Sequence, residues 1–383
     1  MSWDTVKLGD IASFSNGINF DKTAYSHGVK LIGVSGFGNR FFPDTANLQE
    51  VKKEVVRDSD LLKEGDIVFV RSNGNKELVG RCMLINHITQ PITFSGFVIR
   101  GRILDTEKYD PVFFTYHFKD IAFRRAMSGT AVGANIQNLS QGRLSAYVAE
   151  IPDIDTQHKI ANYLSAYDAL IENNQKQIKL LEEAAQRLYK EWFVDLRFPG
   201  YEDTPIVDGV PEGWEKVGLA SIAPVVTGKK DANFGTPDGK YLFFTCAQEP
   251  IKAPSYSFDC DAVILAGNGD FNVKLYRGQF EAYQRTYVFS PNETNHLYLL
   301  YHAVRESMRQ LFQGASGSTI KFLTKRMLED IAVFIPDTDT LNAFNSTCDA
   351  IQQKIECLKA QINDAQEARD RLLPKLMSGE IEV

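Results

Sequence analysis

Residues 153–193 read DIDTQHKIANYLSAYDALIENNQKQIKLLEEAAQRLYKEWF, and residues 337–377 read DTDTLNAFNSTCDAIQQKIECLKAQINDAQEARDRLLPKLM. The two stretches align without a gap, at an offset of 184 positions. In the first, a stripe runs through Ile160, Leu164, Tyr167, Ile171, Asn174, Ile178, Leu181, Ala185, Leu188 and Trp192. In the second it runs through Phe344, Cys348, Ile351, Ile355, Leu358, Ile362, Ala365, Arg369, Leu372 and Leu376. Steps of four and three alternate, which is the a/d seam of a heptad repeat. Asn174 and Arg369 are its polar interruptions. Asn174 reads either as a register-fixing seam asparagine or as a hydrated one beside a splayed region. A helix of roughly 40 residues is about 60 Å long and cannot hide its seam in a small domain. The simplest solution packs the two helices on each other; a two-fold relation between the copies makes them antiparallel. Pro152 with Asp155-Thr156, and Pro336 with Asp339-Thr340, mark the helix starts and supply N-cap oxygens.

The repeat extends outward from the helices. Trp3-x-x-Val6-x-Leu8 recurs as Trp214-x-x-Val217-x-Leu219, Ile11-Ala12 as Ile222-Ala223, and Gly17 as Gly228, all at an offset of 211 positions. The fall from 211 to 184 makes the second copy 27 residues shorter, with the whole loss in the part before its helix. That part is rich in short β-like runs: Ile67-Val68-Phe69-Val70, Phe97-Val98-Ile99, Ala262-Val263-Ile264-Leu265 and Thr286-Tyr287-Val288-Phe289. Asn73-Gly74 and Asn268-Gly269 punctuate them as turn signals. The fold class is therefore α+β: two mixed α/β domains separated by two long helices, in a pseudo-two-fold internal repeat. The expected boundaries are 1–152, a helical spacer 153–200, a linker 201–212, a second domain 213–336 and a C-terminal spacer 337–383.

Composition bounds the function. The net charge of −7 argues at first against a nucleic-acid binder. Its distribution is uneven: residues 1–152 carry +2 and 213–336 carry +1, whereas the two spacers and the linker are acidic. No broad basic face is evident, so phosphate binding is expected to need partner subunits. No apolar run is long enough to span a membrane, and the opening residues lack the regions of a signal peptide, so a cytoplasmic protein is expected. Five cysteines, Cys82, Cys246, Cys260, Cys348 and Cys357, form no CxxC pair. They read as reduced structural thiols.

Catalytic parts are missing from the reading. Gly228-Lys229-Lys230 has Ala223 where a phosphate loop needs its first glycine. There is no HExxH and no Asn-Pro-Pro-aromatic stretch of an adenine methyltransferase. Thr236-Pro237-Asp238-Gly239-Lys240 reads as a β-turn rather than a nuclease fragment. The histidines are scattered without ligand spacing. A doubled, non-catalytic chain with a rigid spacer suits a measuring device, in which two heads read two short DNA sequences across an unread gap.

The opening Trp3-x-x-Val6-x-Leu8-x-x-Ile11 also resembles a known family. So do the helix end Leu188-Tyr189-Lys190-Glu191-Trp192-Phe193-Val194-Asp195, the restart Pro211-Glu212-Gly213-Trp214, and the tail Leu372-Leu373-Pro374-Lys375-Leu376-Met377-Ser378-Gly379-Glu380-Ile381. Across its length the chain resembles the specificity (S) subunit of type I restriction-modification systems. The resemblance implies two target-recognition domains on helical spacers. It implies a bipartite double-stranded DNA target, methyltransferase (M) subunits and ATP-driven restriction/translocase (R) subunits. S-adenosylmethionine, ATP and magnesium would serve those partners, with no cofactor or metal in this chain.

The resemblance does not fix which residues touch DNA, so the candidates come from chemistry. In the first domain they are Arg71, Ser72, Asn73, Asn75 and Lys76, with Arg124, Arg125, Ser128 and Thr130. The positional counterparts in the second are Asn268 with Asp270, and Ser316, Ser318 and Lys321. Lys229, Lys230 and Arg285 complete the set. Each loop also reads as a plain hairpin turn. The adjacent pairs Phe41-Phe42 and Phe243-Phe244 read as core before stacking surfaces. Two other functions stay open: a coiled-coil scaffold for protein partners only, favoured by the acidic balance, and a restriction enzyme with its own nuclease.

Overall fold

A computed structural model describes residues 3–38, 40–73, 75, 78–128, 138–269, 271–314 and 323–383. The chain divides into two compact units, residues 1–174 with 360–383, and residues 175–359. Each unit thus combines one globular part with the near half of its own long helix and the far half of the other.

The first unit opens with β1 (Asp4–Lys7), the one-turn α1 (Leu8–Ile11) and β2 (Ala12–Asn16). Strands β3 (Tyr25–Ile32), β4 (Gln49–Val51), β5 (Ile67–Val70), β6 (Cys82–Leu84), β7 (Ile92–Phe94) and β8 (Val98–Ile103) follow. Helices α2 (Pro111–Lys119), α3 (Ile121–Ser128) and α4 (Gln141–Ala146) lead through β9 (Val148–Ile151) into α5 (Ile154–Tyr189). A four-stranded sheet is ordered β2-β8-β5-β6 and a three-stranded one β4-β3-β7, with β3 and β7 parallel. β9 returns antiparallel to β1, pairing Asp4 with Ile151. Strand β5 is apolar at every position and buried throughout, as a strand covered on both faces should be.

The segment expected to be a plain linker contains a small hairpin, β10 (Ile206–Val207) with β11 (Val210–Pro211). Its corner Asp208-Gly209 has positive φ at both residues, the geometry that tight hairpins need. The second unit then repeats the first: β12 (Glu215–Gly218), α6 (Leu219–Ile222), β13 (Val225–Thr227), β14 (Tyr241–Phe244), β15 (Ile251–Ala253), β16 (Phe258–Ala266), β17 (Val273–Ala282) and β18 (Thr286–Phe289). Helices α7 (Leu297–Gly314) and α8 (Lys325–Glu329) precede β19 (Ala332–Ile335) and the final α9 (Thr338–Met377). The six strands of its main sheet run β13-β18-β16-β17-β14-β15.

The two sheets differ at one place for a local reason. β17 is continuous, pairing with β16 and then, in parallel, with β14; Gly278 bends it at φ +117°. In the first unit the same path is broken into β6 and β7 by residues 85–91, which include His87 at φ +52° and end on Pro91. A proline removes a ladder donor, so the sheet divides. The shortening of the second copy falls in the loops between β3 and β5, between β5 and β7, and after β8.

Within the first unit α5 and α9 run antiparallel. Asp168 pairs with Arg369, and Asn174 donates to Gln361 at 3.1 Å. Within the second, the end of α5 meets the start of α9, where Phe193 packs on Phe344 at 4.9 Å. Ile160, Leu164, Ile171, Ile355 and Leu358 are buried. Ile178, Leu181, Leu188, Ile351, Ile362 and Leu372 are half-buried. Asn174 is buried, in keeping with the register-fixing reading. Arg369 does not break the seam as expected: its charge is matched by Asp168, which also accepts from the Tyr116 hydroxyl at 2.6 Å.

Three local expectations are corrected. The helix caps are Asp153 and Asp337, not Asp155-Thr156 and Asp339-Thr340, because the helices start two residues earlier. Asp153 accepts from the N–H and the Oγ1 of Thr156, each at 3.0 Å, and Asp337 does the same for Thr340 at 2.9 and 2.7 Å. Trp192 yields the inner position to Tyr189 and Phe193, because a π-helical turn (Lys190–Val194) adds a residue to the period. Phe97 lies in a turn, and its strand begins at Val98. The aromatic pairs are mainly core, as read: Phe41, Phe243 and Phe244 are buried. No disulfide joins the five cysteines; burial raises the Cys82 thiol to about 11 and that of Cys348 to about 12.

Candidate nucleic-acid interface

One turn is built twice. In the first unit Ser95–Val98 closes with the Val98 N–H donating to Ser95 O at 2.9 Å; in the second, Thr286 N–H donates to Tyr283 O at 2.8 Å. Arg71 N–H donates to Phe97 O, and Gly267 N–H to Arg285 O, each at 2.8 Å. Leu139 N–H donates to Arg71 O at 2.9 Å, and Leu323 N–H to Gly267 O at 3.1 Å. Gly96 N–H reaches Ile18 O at 2.8 Å, and Gln284 N–H reaches Lys230 O at 2.9 Å. Strand register agrees, since Val70 faces Val98 and Ala266 faces Thr286.

Gly17 and Gly228 make the fifth matched contact, donating to Val98 O and Thr286 O. A Cβ on Gly17 would lie 2.2 Å from Ser95 O, and one on Gly228 would lie 2.1 Å from Ala282 O. Only glycine lets the backbones approach so closely. The sequence match of Gly17 to Gly228 is thus a match of function in the fold, though its reason is invisible in the sequence.

This register sharpens the loop alignment by one residue. Arg71 is the counterpart of Gly267 and Ser72 of Asn268, so Asn73 stands opposite Gly269 rather than Asn268. Arg71 is tied down, its Nη1 donating to Gly96 O at 3.1 Å. Ser72 bridges to Asn138, and Asn73 Oδ1 accepts from Asn75 N–H at 2.8 Å in a side-chain turn. In the second unit Lys229, Lys230, Asn268 and Arg285 converge on the same turn. Lys230 lies 4.4 Å over the Phe234 ring, while Lys229 and Arg285 are exposed. Lys76, Thr130, Asp270, Ser316, Ser318, Lys321 and the side chain of Ser128 lie outside the described residues.

Arg124 and Arg125 lie on α3, which borders the loop that starts with Arg71 rather than the turn itself. Gly80, at the base of the loop that starts with Arg71, packs against Met127. Burial lowers the Arg124 guanidinium, and the like charge of Arg81 lowers it further. Arg143 Nη2 caps Ala126 O at 2.8 Å. Arg81 and Arg143 escaped the sequence reading because nothing local distinguishes them; the fold brings them to α3. The same holds in the second unit for Asn272 and Lys274, which tie residues 246–247 beside Arg285. Thr236–Gly239 closes as the expected turn, Gly239 N–H to Thr236 O at 3.1 Å. Among the described residues no three of His, Cys, Asp or Glu converge to hold a metal.

The profile of a family described as the type I restriction modification DNA specificity domain matches residues 1–183 and again 211–365. The EcoDI specificity subunit of Escherichia coli is 36% identical over 178 residues, spanning 45% of this chain and 39% of that protein. The MjaIX specificity subunit of Methanocaldococcus jannaschii is 25% identical over 303 residues, spanning 70% of this chain and 68% of that one. In fold, a type I restriction-modification S subunit from M. genitalium covers 98% of this chain and 96% of its own at a TM-score of 0.54 and 15% identity.

Proposed function

The chain belongs to the type I restriction modification DNA specificity domain family, and from that premise we propose that it reads a bipartite duplex DNA target, one half-site per unit. The observation that carries this is the duplicated turn. Its backbone hydrogen bonds recur in both units, while its side chains differ: Ser95-Gly96-Phe97 in one and Tyr283-Gln284-Arg285 in the other. A common frame with different side chains suits two different half-sites. Residues 1–152 and 213–336 act as the recognition domains, and the paired helices set the unread gap.

Arg81, Arg124, Arg125, Lys229 and Lys230 hold phosphates and fix the register, while Ser72, Asn73, Asn75, Asn268 and Arg285 face base edges. The chain is the non-catalytic member of a cytoplasmic complex. Methyltransferase subunits bring S-adenosylmethionine chemistry, and restriction subunits bring ATP-driven translocation with magnesium. Among the described residues, no helix is long and apolar enough to cross a membrane. With an overall charge of −7, much of the phosphate attraction must come from those partners.

A mobility-shift titration tests this. Purified chain with its host methyltransferase subunits should retain duplexes carrying the host's methylated motif, with affinity falling steeply as salt rises. Equal affinity for motif and scrambled duplexes at every salt concentration would leave only the protein scaffold.

A further inference from the structure

Phe97 is 58% exposed on a turn whose backbone is pinned on both sides, an unusual place for a phenylalanine. Exposed apolar side chains are common singly. What sets this one apart is its counterpart. Arg71 N–H holds Phe97 O, and Gly267 N–H holds Arg285 O, at the same distance and the same strand register. The side chains at that corner therefore leave the two frames from equivalent points. Both are exposed, and each is followed by a buried strand residue, Val98 or Thr286, that carries none of the difference outward.

The two side chains recognise different things in a major groove. A phenyl ring has no hydrogen-bonding atom, so the base feature it can favour is the C5-methyl of thymine. A guanidinium fork matches O6 and N7 of guanine. Resting on the DNA-reading function proposed above, we infer that Phe97 and Arg285 are paired specificity-determining residues. Phe97 reads a thymine methyl in one half-site, and Arg285 reads a guanine at the equivalent place in the other. The polar neighbours of Phe97, Arg71 and Ser72, are held by Gly96 and Asn138 and so keep the ring's surroundings fixed.

The test uses the full chain with its host methyltransferase subunits and the host's methylated motif. Each thymine of the motif is replaced in turn by uracil, which removes only the C5-methyl. The wild-type complex should lose about tenfold in affinity at one thymine of one half-site, and Phe97→Ala should erase that difference. Phe97→Arg should shift the preference at that base pair towards guanine. Arg285→Ala should relax one guanine of the other half-site by roughly tenfold to a hundredfold. If the wild-type complex binds its motif but no thymine-to-uracil change matters, Phe97 is not a reader, whether or not its variants fold. A uniform loss across all sequences for Arg285→Ala, with Arg285→Lys restoring it, would make that residue a phosphate contact and overturn the pairing. Failure of the wild-type complex to prefer its motif would instead bring down the DNA-reading function itself.

Discussion

Arg369 occupies a seam position where an apolar residue belongs, and its side chain is 11% exposed against 10% for Asp168. Removing one partner of such a pair leaves a charge stranded, which costs about 3–5 kcal/mol, whereas replacing both by apolar residues is often near neutral. Asp168→Ala should destabilise the first unit by about 1–3 kcal/mol, because the Tyr116 hydroxyl loses its acceptor while Arg369 keeps only the exposed Asp370 among the described residues. Asp168→Leu with Arg369→Leu should recover part of that in urea titration, the Tyr116 hydroxyl still lacking its acceptor. His117 is a second buried polar group of this unit with consequences for stability. Both its ring nitrogens lack a partner among the described residues, and burial lowers its pKa to about 4. The unfolded chain binds that proton near pH 6.5 and the folded chain only near 4, so stability is full above 6.5 and lost as pH falls between them. His302, lowered by burial and by Arg305 to about 3, adds a loss in the same direction in the second unit. His117→Phe should flatten the acid limb of the first unit's stability profile; an unchanged limb would acquit the imidazole. Neither pair nor pocket was legible in the sequence. Asp168 and Arg369 are 201 positions apart, and a lone histidine in an aromatic run does not announce that it lacks a partner.

At the scale of elements, the caps show how far local chemistry reaches. Asp337 is held below its ordinary value, burial opposing and the bonds from Thr340 and Trp214 outweighing it. Asp337→Ala should cost about 1–2 kcal/mol in thermal unfolding, since the cap also anchors the Trp214 ring. The turn glycines are stricter. Gly17→Ala and Gly228→Ala each drive a methyl into a carbonyl oxygen and should cost about 1–3 kcal/mol, with the turn displaced. The long helices make a sharper test of the spacer. Seven residues added to α5 alone, near 174, would keep its face but put its two halves out of register with α9, so that Asp168–Arg369 and Phe193–Phe344 could not both form against an unchanged α9. One heptad in each helix, near 174 and near 359, keeps both registers. The matched insertion should lengthen the gap in the methylated motif without altering either half-site, and an unchanged gap would count against a helical ruler.

For the whole molecule, exchanging residues 1–152 for the equivalent domain of another family member should change one half of the methylated motif and leave the other. A change in both halves would refute modular reading. The duplication, the antiparallel helices and the α+β class were all readable from sequence, because heptad spacing and a gapless repeat are local, periodic signals. The caps were misplaced by two residues and the seam by one near Trp192, because helix ends and π-turns are set by which side chain finds the core. The candidate DNA contacts were readable as residue types but not as a site. Lys229 and Arg285 are far apart in sequence and come to one turn only because Lys230 bridges to Tyr283. Phe97 looked like the first residue of a strand, since its neighbours are apolar and periodic. The sequence by itself determined that one design is written twice, which repetition alone can record. Only the tertiary structure decided that Phe97 and Arg285 share one corner of that design, because their equivalence rests on hydrogen bonds between strands that the chain brings together from distant places.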